Sequence, residues 1–493
     1  MHTVASSVFT PEVVRELDRR AIEDRGIPGY TLMCRAGRAA FDATRDRYPA
    51  AAKWVVVCGA GNNAGDGYVI ARLARAAGLQ VQVIAVSDPD GLGGDAARAW
   101  HDFRDAGGTA AGLADLDCGE AELLVDALLG TGLDRLVGGS YRDAVEQINA
   151  AAAPVLAVDI PSGLNGTTGE IMGVAIQADL TVTFVGRKQG LYLGAGPALC
   201  GEVRFADLDV PGDMAAGIEP ALRLFDEHQL AELLPQRHAS AHKGDFGHVL
   251  IVGGNRGMSG AVRLAGEAAL RAGAGLVSVA TRAETAGAVV AGRPELMCRP
   301  VDSADDLEPL LERATHIAVG PGLGQDAWAR QLFARVLAAE RPLVLDADAL
   351  NLLAADPHKR DDWVLTPHPG EAGRLLGGST AAVQANRLDA LAQLTTRYGG
   401  IAVLKGRGTL VGEHGQIPFL IDRGNPGMAT AGMGDVLTGT LAGLLAQVPA
   451  SPLAATAAAA WVHAVAGDRA AAAGERGLLA GDVLNELRAC LNP

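Results

Sequence analysis

Several features that would point to other classes of protein are scarce in this sequence. Aromatic residues make up 4% of the 493 residues, and the six cysteines stand singly, with no C-x-x-C pair. Such spacing gives neither a disulfide framework nor a zinc cluster, so a reducing cytoplasm is the expected compartment. The apolar stretches are of strand length, and the N-terminus lacks the charged and apolar regions of a secretory signal. We therefore expect a cytoplasmic protein with no membrane segment.

Basic residues are also in the minority. Lys and Arg number 42 against 57 Asp and Glu, which gives a formal net charge of −15. A nucleic-acid binder normally carries a basic face, so this balance argues against nucleic acid as a partner. Nucleotides stay open as ligands, because backbone amides and helix N-termini bind phosphate. What the sequence has in abundance is Ala and Gly, which suits helices packed closely on a parallel sheet.

The pattern of apolar runs predicts two α/β domains, since 493 residues are too many for one ordinary domain. Strands are predicted in the first half at 55–58, 81–86, 123–127, 155–158 and 180–184. In the second half they are predicted near residues 249, 276, 317, 343, 363, 401 and 410. Helical segments are predicted over 17–47 and over an Ala-rich region at 433–473. Periodicity fades between 208 and 224, so we place the domains at 1–215 and 216–493.

The sharpest motif is N-P-G-M-A-T-A-G-M-G-D-V-L-T-G-T, from Asn425 to Thr440. Gly432 and Gly434 allow the backbone to approach a ligand, and an apolar helix follows. Amides at such a helix start form an anion hole that favours a phosphate. Asp435 lies in the first turn, where it can take a hydroxyl proton as phosphate is transferred. The motif predicts a phosphoryl-transfer site.

Three other turns at predicted strand ends accompany this motif. L-K-G-R-G-T-L places Lys405 before two glycines, in a turn suited to nucleotide phosphates. V-L-T-P-H-P-G-E places His368 and Glu371 after another strand, and A-V-G-P-G-L-G at 318–324 is a third glycine-rich turn. Because the carboxyl ends of parallel strands meet at one edge of a sheet, we expect these turns to share one cleft.

These motifs resemble the ribokinase-like superfamily, and within it the NAD(P)H-hydrate dehydratases. The resemblance covers about 225–493 and implies an α/β/α domain that uses ADP to dehydrate a hydrated nicotinamide ring, through phosphorylation of its hydroxyl and elimination of phosphate. It implies that Asp435 is the catalytic base and also contacts the substrate. The residues that would line the hydrate site are Ala261, Gly322 and His368. Those that would hold the nucleotide are Lys405, Gly406, Arg407, Gly408, Thr409 and Gly434.

One departure bears on the choice between a dehydratase and a plain kinase. Sugar and vitamin kinases of the superfamily often carry T-P-N-x-x-E, whereas this chain has T-P-H-P-G-E. His368 in place of Asn favours a dehydratase. Glu371 is left as a contact to magnesium-bound water, since no dedicated metal cage is visible.

Three motifs of the first half describe a second pocket. C-G-A-G-N-N-A-G-D-G carries Asn62, Asn63 and Asp66 after a predicted strand. Oxygen-bearing side chains in such a turn suit ribose hydroxyls and a hard cation. L-L-V-D-A-L-L-G-T-G-L-D-R and A-V-D-I-P-S-G-L add further strand-end polar residues, and T-F-V-G-R-K-Q-G-L places Lys188 after a strand.

These motifs resemble the NAD(P)H-hydrate epimerases over about 8–208, which implies a Rossmann-like three-layer sandwich that interconverts the R and S hydrates. The implied hydrate-binding residues are Asn62, Asn63, Ala64, Gly65, Asp66, Gly130, Thr131, Gly132, Leu133, Asp134, Arg135, Leu136 and Asp159. The implied potassium ligands are Asn63, Asp126 and Ser162. Ala64 stands where many relatives have Gly, which matters only if the position needs a positive φ. Epimerisation needs an acid/base pair, and we assign it to Asp159 and Lys188.

Together the two resemblances imply a repair enzyme for damaged nicotinamide cofactors. Its expected partners are the hydrates of NADH and NADPH, ADP and further copies of the chain, with potassium and magnesium as cations. One alternative is a small-molecule kinase fused to a nucleotide-sensing module, which would need ATP and release a stable phosphorylated product. Another is a first domain that only binds a protein partner, which the presence of both Asp159 and Lys188 disfavours.

Overall fold

The computed structural model describes residues 4–492 and divides into two compact units, one ending at Leu222 and the other beginning at Arg223. The sequence-based boundary between residues 215 and 216 lies a few residues earlier. All six cysteines are free. Within residues 4–492, no helix combines the length and the apolar character needed to cross a membrane.

The first unit is an α/β structure. Its strands are β1 (Ser7–Phe9), β2 (Lys53–Cys58), β3 (Gln80–Ala85), β4 (Ala111–Gly112), β5 (Leu123–Ala127), β6 (Val155–Val158), β7 (Leu180–Phe184), β8 (Arg187–Lys188) and β9 (Glu202–Ala206). Its helices are α1 (Pro11–Glu23), α2 (Gly29–Arg47), α3 (Asn62–Ala76), α4 (Gly94–Asp105), α5 (Gly139–Ala150) and α6 (Gly196–Leu199).

A parallel sheet forms the middle layer of this unit. Seven strands run in the order β4–β3–β2–β5–β6–β7–β9, and β1 pairs in parallel with β8. Successive residues of β2 face opposite sides, so Val56 packs in one apolar cluster with α2, α3 and α4, while Val55 and Val57 pack in another with α5. Both faces are thus covered by helices, and the predicted doubly wound fold is confirmed.

The first unit differs from the sequence-based prediction in one helix, in the short strands β1, β4 and β8, which were not predicted, and in one edge strand. The predicted helix over 17–47 is two helices, α1 and α2, because Gly26 adopts a left-handed conformation with φ +67° and Pro28 caps α2. The edge strand β9 was not predicted. Its residues are exposed or half-buried, so it lacks the continuous apolar run of a central strand.

The second unit is a larger α/β structure. Its strands, with the one at the division, are β10 (Leu222–Leu224), β11 (His248–Val252), β12 (Leu276–Thr281), β13 (Met297–Pro300), β14 (His316–Val319), β15 (Leu343–Leu345), β16 (Trp363–Leu365), β17 (Ile401–Leu404), β18 (Thr409–Glu413) and β19 (Phe419–Ile421). Its helices are α7 (Glu227–Leu233), α8 (Ser259–Arg271), α9 (Ala283–Gly292), α10 (Glu308–Leu311), α11 (Ala327–Leu337), α12 (Asp348–Ala355), α13 (Pro369–Leu376), α14 (Thr380–Ala385), α15 (Arg387–Tyr398), α16 (Met433–Leu445), α17 (Pro452–Ala470) and α18 (Ala480–Cys490).

The strands of this unit run in the order β13–β12–β11–β14–β15–β16–β17–β18–β19–β10. The sheet is parallel from β13 to β17, and β17, β18 and β19 form an antiparallel meander. The predicted strands of the second half are all present. The turns after β14, β15, β16 and β17 therefore leave the same edge of the sheet, as the sequence predicts.

Close helix packing fixes the start of α16, which carries the sharpest motif. Gly439 and Gly443 of α16 lie directly against the backbone of α8, and a Cβ at Gly439 would come within 2.0 Å of the Ala265 carbonyl oxygen. Only glycine permits this approach, so α16 is held rigidly over the sheet. The predicted helical region over 433–473 divides into α16 and α17, with Pro452 in the first turn of α17.

Candidate active sites

The start of α16 forms the first candidate site. Gly432 precedes the helix in a left-handed conformation with φ +89°, and Asp435 lies in the first turn. Burial, together with the negative charge of Asp346, raises the pKa of Asp435 to about 7, against the opposing effect of Lys405. Asp435 therefore changes its protonation state near neutral pH, as a catalytic base needs to do. An ideal Cβ on Gly434 would lie 3.3 Å from Asp346 Oδ2 and 3.6 Å from Lys405 Nζ.

Asp346 is a central residue of this site that the sequence analysis missed. It follows β15, is 2% exposed, and accepts hydrogen bonds from Lys405 Nζ at 2.8 Å and Thr366 Oγ1 at 2.7 Å. Thr438, one turn after Asp435 on α16, donates to Asp346 Oδ2 at 3.0 Å. Burial alone would raise the pKa of Asp346, but the lysine and the two threonines outweigh it and hold the pKa low. The motif L-V-L-D-A-D, a strand that ends in aspartates, is the signal that could have revealed it.

His368 and Glu371 cap α13 at the neighbouring strand end. His368 Nδ1 accepts from the amides of Gly370 at 3.0 Å and Glu371 at 3.3 Å, and the Glu371 carboxylate accepts from the His368 amide at 2.8 Å. Burial lowers the pKa of His368, which suits an Nδ1 that acts as an acceptor. Glu371 Oε2 also lies 3.8 Å from Lys405 Nζ. The cap therefore ties His368 to the same cluster of charges.

Five of the six predicted nucleotide residues lie in the turn between β17 and β18, which we call the nucleotide loop (Lys405–Thr409), and the sixth, Gly434, lies at the start of α16. Gly406 and Gly408 adopt positive φ values of +138° and +69°, and Thr409 Oγ1 donates to the Gly406 carbonyl at 2.8 Å. Burial alone would lower the pKa of Lys405, but Asp346 and Glu371 outweigh it and raise the pKa, so the ammonium is charged. That ammonium is bound to carboxylates beside α16.

Ala261 and Gly322 adjoin each other near the start of α8. Gly322 has φ +55°, and an ideal Cβ there would lie 3.2 Å from the Ala261 Cβ. A separate cavity of about 1310 Å³ in this unit is lined by residues such as Arg237, Glu267 and Arg293, and by none of the predicted site residues. The chemistry-bearing residues thus gather at the sheet edge and not in that cavity.

The second candidate site is a cavity of about 930 Å³ in the first unit. Most of the predicted hydrate-binding residues line it, namely Asn62, Asn63, Asp66, Gly130, Thr131, Gly132, Leu133, Asp134, Arg135, Leu136 and Asp159, together with Lys188. Ala64 and Gly65 are buried inside α3 and do not line it. Ala64 is helical, so the position needs no glycine.

Asp159 and Lys188 form an ion pair in the wall of this cavity. Asp159 follows β6 with φ +68°, a strained conformation for a residue with a Cβ, of the kind that persists mainly at functional sites. Its Oδ1 also accepts from Thr183 Oγ1 and the Phe184 amide, each at 3.2 Å. Lys188 is 2% exposed and donates to the Phe184 carbonyl at 2.9 Å. The pair predicted from sequence is thus in direct contact.

Two of the other carboxylates that line the cavity, Asp66 and Asp18, interact electrostatically with this pair. Burial and the charges of Asp159 and Asp18 raise the pKa of Asp66 well above its usual range. Burial also raises the pKa of Asp18 to about 6, with Lys188 opposing and Asp159 adding to the shift. Asp18, on α1, was missed because the helix pattern of 17–47 gave no reason to select one acidic residue from several. Burial therefore favours the neutral form of Asp66, and Asp18 takes up a proton more readily than a free aspartate does.

The predicted cation ligands lie deeper in the first unit. Asp126 is fully buried and accepts hydrogen bonds from Ser162 Oγ at 2.6 Å and the Ser162 amide at 2.8 Å. The Asn63 amide group donates to the Leu129 carbonyl at 3.1 Å, and that carbonyl also accepts from Ser162 Oγ. Burial raises the pKa of Asp126 to about 6. No cationic side chain of residues 4–492 forms an ion pair with it.

The fold and the two sites define a two-unit enzyme architecture with a ribokinase-like second unit, and comparisons with known proteins agree. A family model described as NAD(P)H-hydrate dehydratase matches residues 249–488, and one described as YjeF-related protein N-terminus matches 29–190. A crystal structure of a ribokinase-like superfamily protein from Enterococcus faecalis is 32% identical, with a TM-score of 0.51, over 55% of this chain and 95% of that one.

Curated relatives span both units. The bifunctional NAD(P)H-hydrate repair enzyme of Coxiella burnetii is 48% identical over 97% of this chain and 98% of its own length. The corresponding Escherichia coli enzyme is 44% identical over 100% of this chain and 95% of its own length. This chain belongs to the family of bifunctional NAD(P)H-hydrate repair enzymes.

Proposed function

We propose that the protein clears hydrated NADH and NADPH with two separate activities. The first unit interconverts the R and S hydrates at the Asp159–Lys188 cavity. The second unit dehydrates the S hydrate at Asp435 and converts ADP to AMP and phosphate. The observation that carries the proposal is the position of Asp435 at a helix start, with its pKa raised to about 7. The neighbouring Lys405 is bound to Asp346.

In the second unit the reaction has two balanced steps. Asp435 takes the proton of the ring hydroxyl as its oxygen attacks the terminal phosphorus of ADP, and AMP leaves with the electrons of the broken P–O bond. The C–O bond then breaks, phosphate departs with the bonding pair, and the neighbouring ring carbon loses a proton to restore the dihydropyridine. Amides at the start of α16 stabilise the charge on the transferred phosphate.

In the first unit a proton must be given to the leaving hydroxyl and another taken from the water that re-adds. The cluster of Asp159, Lys188, Asp66 and Asp18 can do both, because the raised pKa of Asp66 and of Asp18 lets these carboxylates hold a proton beside the Asp159–Lys188 pair. Loss of hydroxide leaves an iminium ring, and water that adds to its other face gives the second epimer.

The residues present fit a monovalent cation in the first unit. Asp126, Ser162 and Asn63 offer oxygen atoms, and the buried Asp126 carboxylate has no cationic side chain to balance it in the part of the chain that the structure describes. Potassium there would neutralise Asp126 and fix the neighbouring loops. In the second unit magnesium would travel with the nucleotide phosphates, where it would offset their charge, and Glu371 would contact a water of its shell. Residues 4–492 contain no cluster of three or more His, Cys, Asp or Glu side chains that could bind a metal.

The test is Asp435→Asn in the full-length protein, assayed with mixed hydrates and ADP by recovery of dihydronicotinamide absorbance. We expect dehydration to fall roughly 100- to 10,000-fold, the usual contribution of a general base. Epimerisation, followed by separation of the two hydrates, should continue. Turnover by the wild-type protein with ATP alone, or a stable phosphorylated product, would favour the kinase alternative.

A further inference from the structure

Arg387 is a buried arginine with no carboxylate partner among residues 4–492. It begins α15, is 6% exposed, and its pKa is lowered to about 10 by burial alone. A buried charge is normally paired, because its removal from water is unfavourable. Arg360 of the same unit, which is half-buried, pairs with the exposed Asp362 at 2.6 Å. The uncompensated charge of Arg387 therefore needs another explanation.

The guanidinium of Arg387 binds the backbone at both ends of the nucleotide loop. Nη2 donates to the Leu404 carbonyl at 3.0 Å and the Gly408 carbonyl at 3.2 Å. Both Nη atoms lie 3.4 Å from the Lys405 carbonyl oxygen, and Nη1 donates to Gln384 Oε1 at 2.9 Å. All of these acceptors are neutral, so they solvate the guanidinium and leave its charge unbalanced.

This arrangement orients the amides of the loop. Within a planar trans peptide the carbonyl and the following N–H point in opposite directions. Because the Lys405 carbonyl faces Arg387, the Gly406 amide points away from it. The amides of Gly406, Arg407 and Gly408 donate to no acceptor within the described part of the chain. Successive free amides in a glycine-rich turn form a concave site for an anion.

We infer that Arg387 is a positioning residue for the phosphates of the adenine nucleotide. It holds the nucleotide loop from behind, turns the loop amides toward the phosphates, and supplies a positive charge that the ligand itself balances. The guanidinium acts through the loop and does not touch the nucleotide. This inference rests on the proposed use of ADP in the second unit.

The test compares Arg387→Met with Arg360→Met in the full-length protein. Arg360 is a matched control, because its guanidinium also binds three carbonyls, those of Leu337, Ala339 and Arg341, in a turn that carries no predicted site residue. For Arg387→Met the KM for ADP should rise roughly 10- to 100-fold, as expected when charge-assisted contacts are lost. The kcat at saturating ADP and the KM for the hydrate should stay within about twofold. A residue that only maintained the fold would lower kcat as well.

Arg387→Lys separates charge from geometry and serves if the Met variant does not fold. Lysine keeps the charge but cannot bridge both ends of the loop, so its KM for ADP should lie between those of the wild type and Arg387→Met. Epimerase activity of each variant reports that the first unit is intact. Unchanged KM for ADP in both Arg387 variants, or an equal rise in Arg360→Met, would overturn the inference while ADP turnover by the wild type upholds the proposed function. Failure of the wild type to use ADP would overturn both.

Discussion

Both units place a lysine beside an aspartate at the carboxyl end of a sheet. The two pairs differ in whether the lysine binds the residue that is proposed to move protons. In the first unit Lys188 binds Asp159, the residue proposed to move protons. In the second unit Lys405 binds Asp346, whereas the proposed base Asp435 forms no ion pair with a side chain of residues 4–492, and its pKa is raised to about 7. The same two residue types therefore form the proposed acid/base pair in one unit, whereas in the other they lie beside the proposed base Asp435.

The difference follows from burial and from the number of carboxylates whose pKa is raised beside each lysine. Asp346 is saturated by Lys405, Thr366 and Thr438, so it stays ionised and acts on Asp435 through its charge. In the first unit two carboxylates beside the lysine, Asp66 and Asp18, have a raised pKa, so proton affinity is distributed over a cluster. A site that only accepts one hydroxyl proton needs one group with a suitably shifted pKa. A site that both gives and takes protons needs several groups with different pKa values.

The largest expected effect comes from breaking the ion pair between Asp159 and Lys188. Asp159→Asn leaves the Lys188 ammonium buried without its partner, so the free energy of unfolding of the first unit should fall by about 3–5 kcal/mol. Epimerisation should fall by roughly 100- to 10,000-fold. With mixed hydrates and ADP, only the S portion should be recovered quickly.

The double variant Asp159→Asn/Lys188→Met separates stability from chemistry. Removal of both charges should restore most of the stability, as measured by hydrogen exchange of β5 and β6 peptides, but not the epimerase activity. If the double variant epimerised at the wild-type rate, the pair would be structural only.

Much of this architecture is predictable from the sequence, and what escaped prediction has a physical reason. Central strands such as β2 and β5 are buried on both faces and therefore read as continuous apolar runs. The edge strand β9 lacks such a continuous apolar run, and the break between α1 and α2 leaves no mark in the apolar pattern. The glycine-rich loops and Asp435 carry local signatures.

Asp18 and Arg387 could not be selected from the sequence, because each acts through neighbours distant along the chain. The L-V-L-D-A-D motif could have marked Asp346, but only as one of two aspartates at the end of a strand. The role of Asp346 is evident only from its contact with Lys405, and that of Asp18 only from its electrostatic interactions with Lys188 and Asp159. A solitary arginine at a helix start is ordinary until burial and the loop carbonyls are known.

A smaller effect is expected from breaking the ion pair between Lys405 and Asp346. Asp346→Asn removes a negative charge that raises the pKa of Asp435, so that pKa should fall. Asp435 must be ionised to accept a proton, and dehydration declines as pH falls through its pKa. The acid limb of the pH–rate profile, near pH 7 in the wild type, should therefore move to lower pH, with a drop in kcat of about tenfold as Lys405 loses its partner.

Thr366→Val is the matched control for this shift. It removes one hydrogen bond to Asp346 and keeps the charge of that carboxylate. Its acid limb should stay close to that of the wild type. An acid limb that moved equally in both variants would assign the effect to packing and not to charge.

The last expected effect is on stability and concerns Asp18, where the sign of the change tells whether the carboxylate is neutral or ionised in the folded protein. Its pKa is raised from 3.8 to about 6, so the folded state binds the proton more tightly than the unfolded chain, and stability is lost as pH rises between those values. Asp18→Asn should therefore stabilise the first unit at pH 7.5 by about 3 kcal/mol, a gain that shrinks toward pH 4. Hydrogen exchange of β2 and β5 peptides measures it, and Asp24→Asn, at the exposed end of α1, should change the opening free energy by less than about 0.5 kcal/mol. A destabilised Asp18→Asn would mean that the carboxylate is ionised and paired in the folded protein, which would remove it from the set of proton donors.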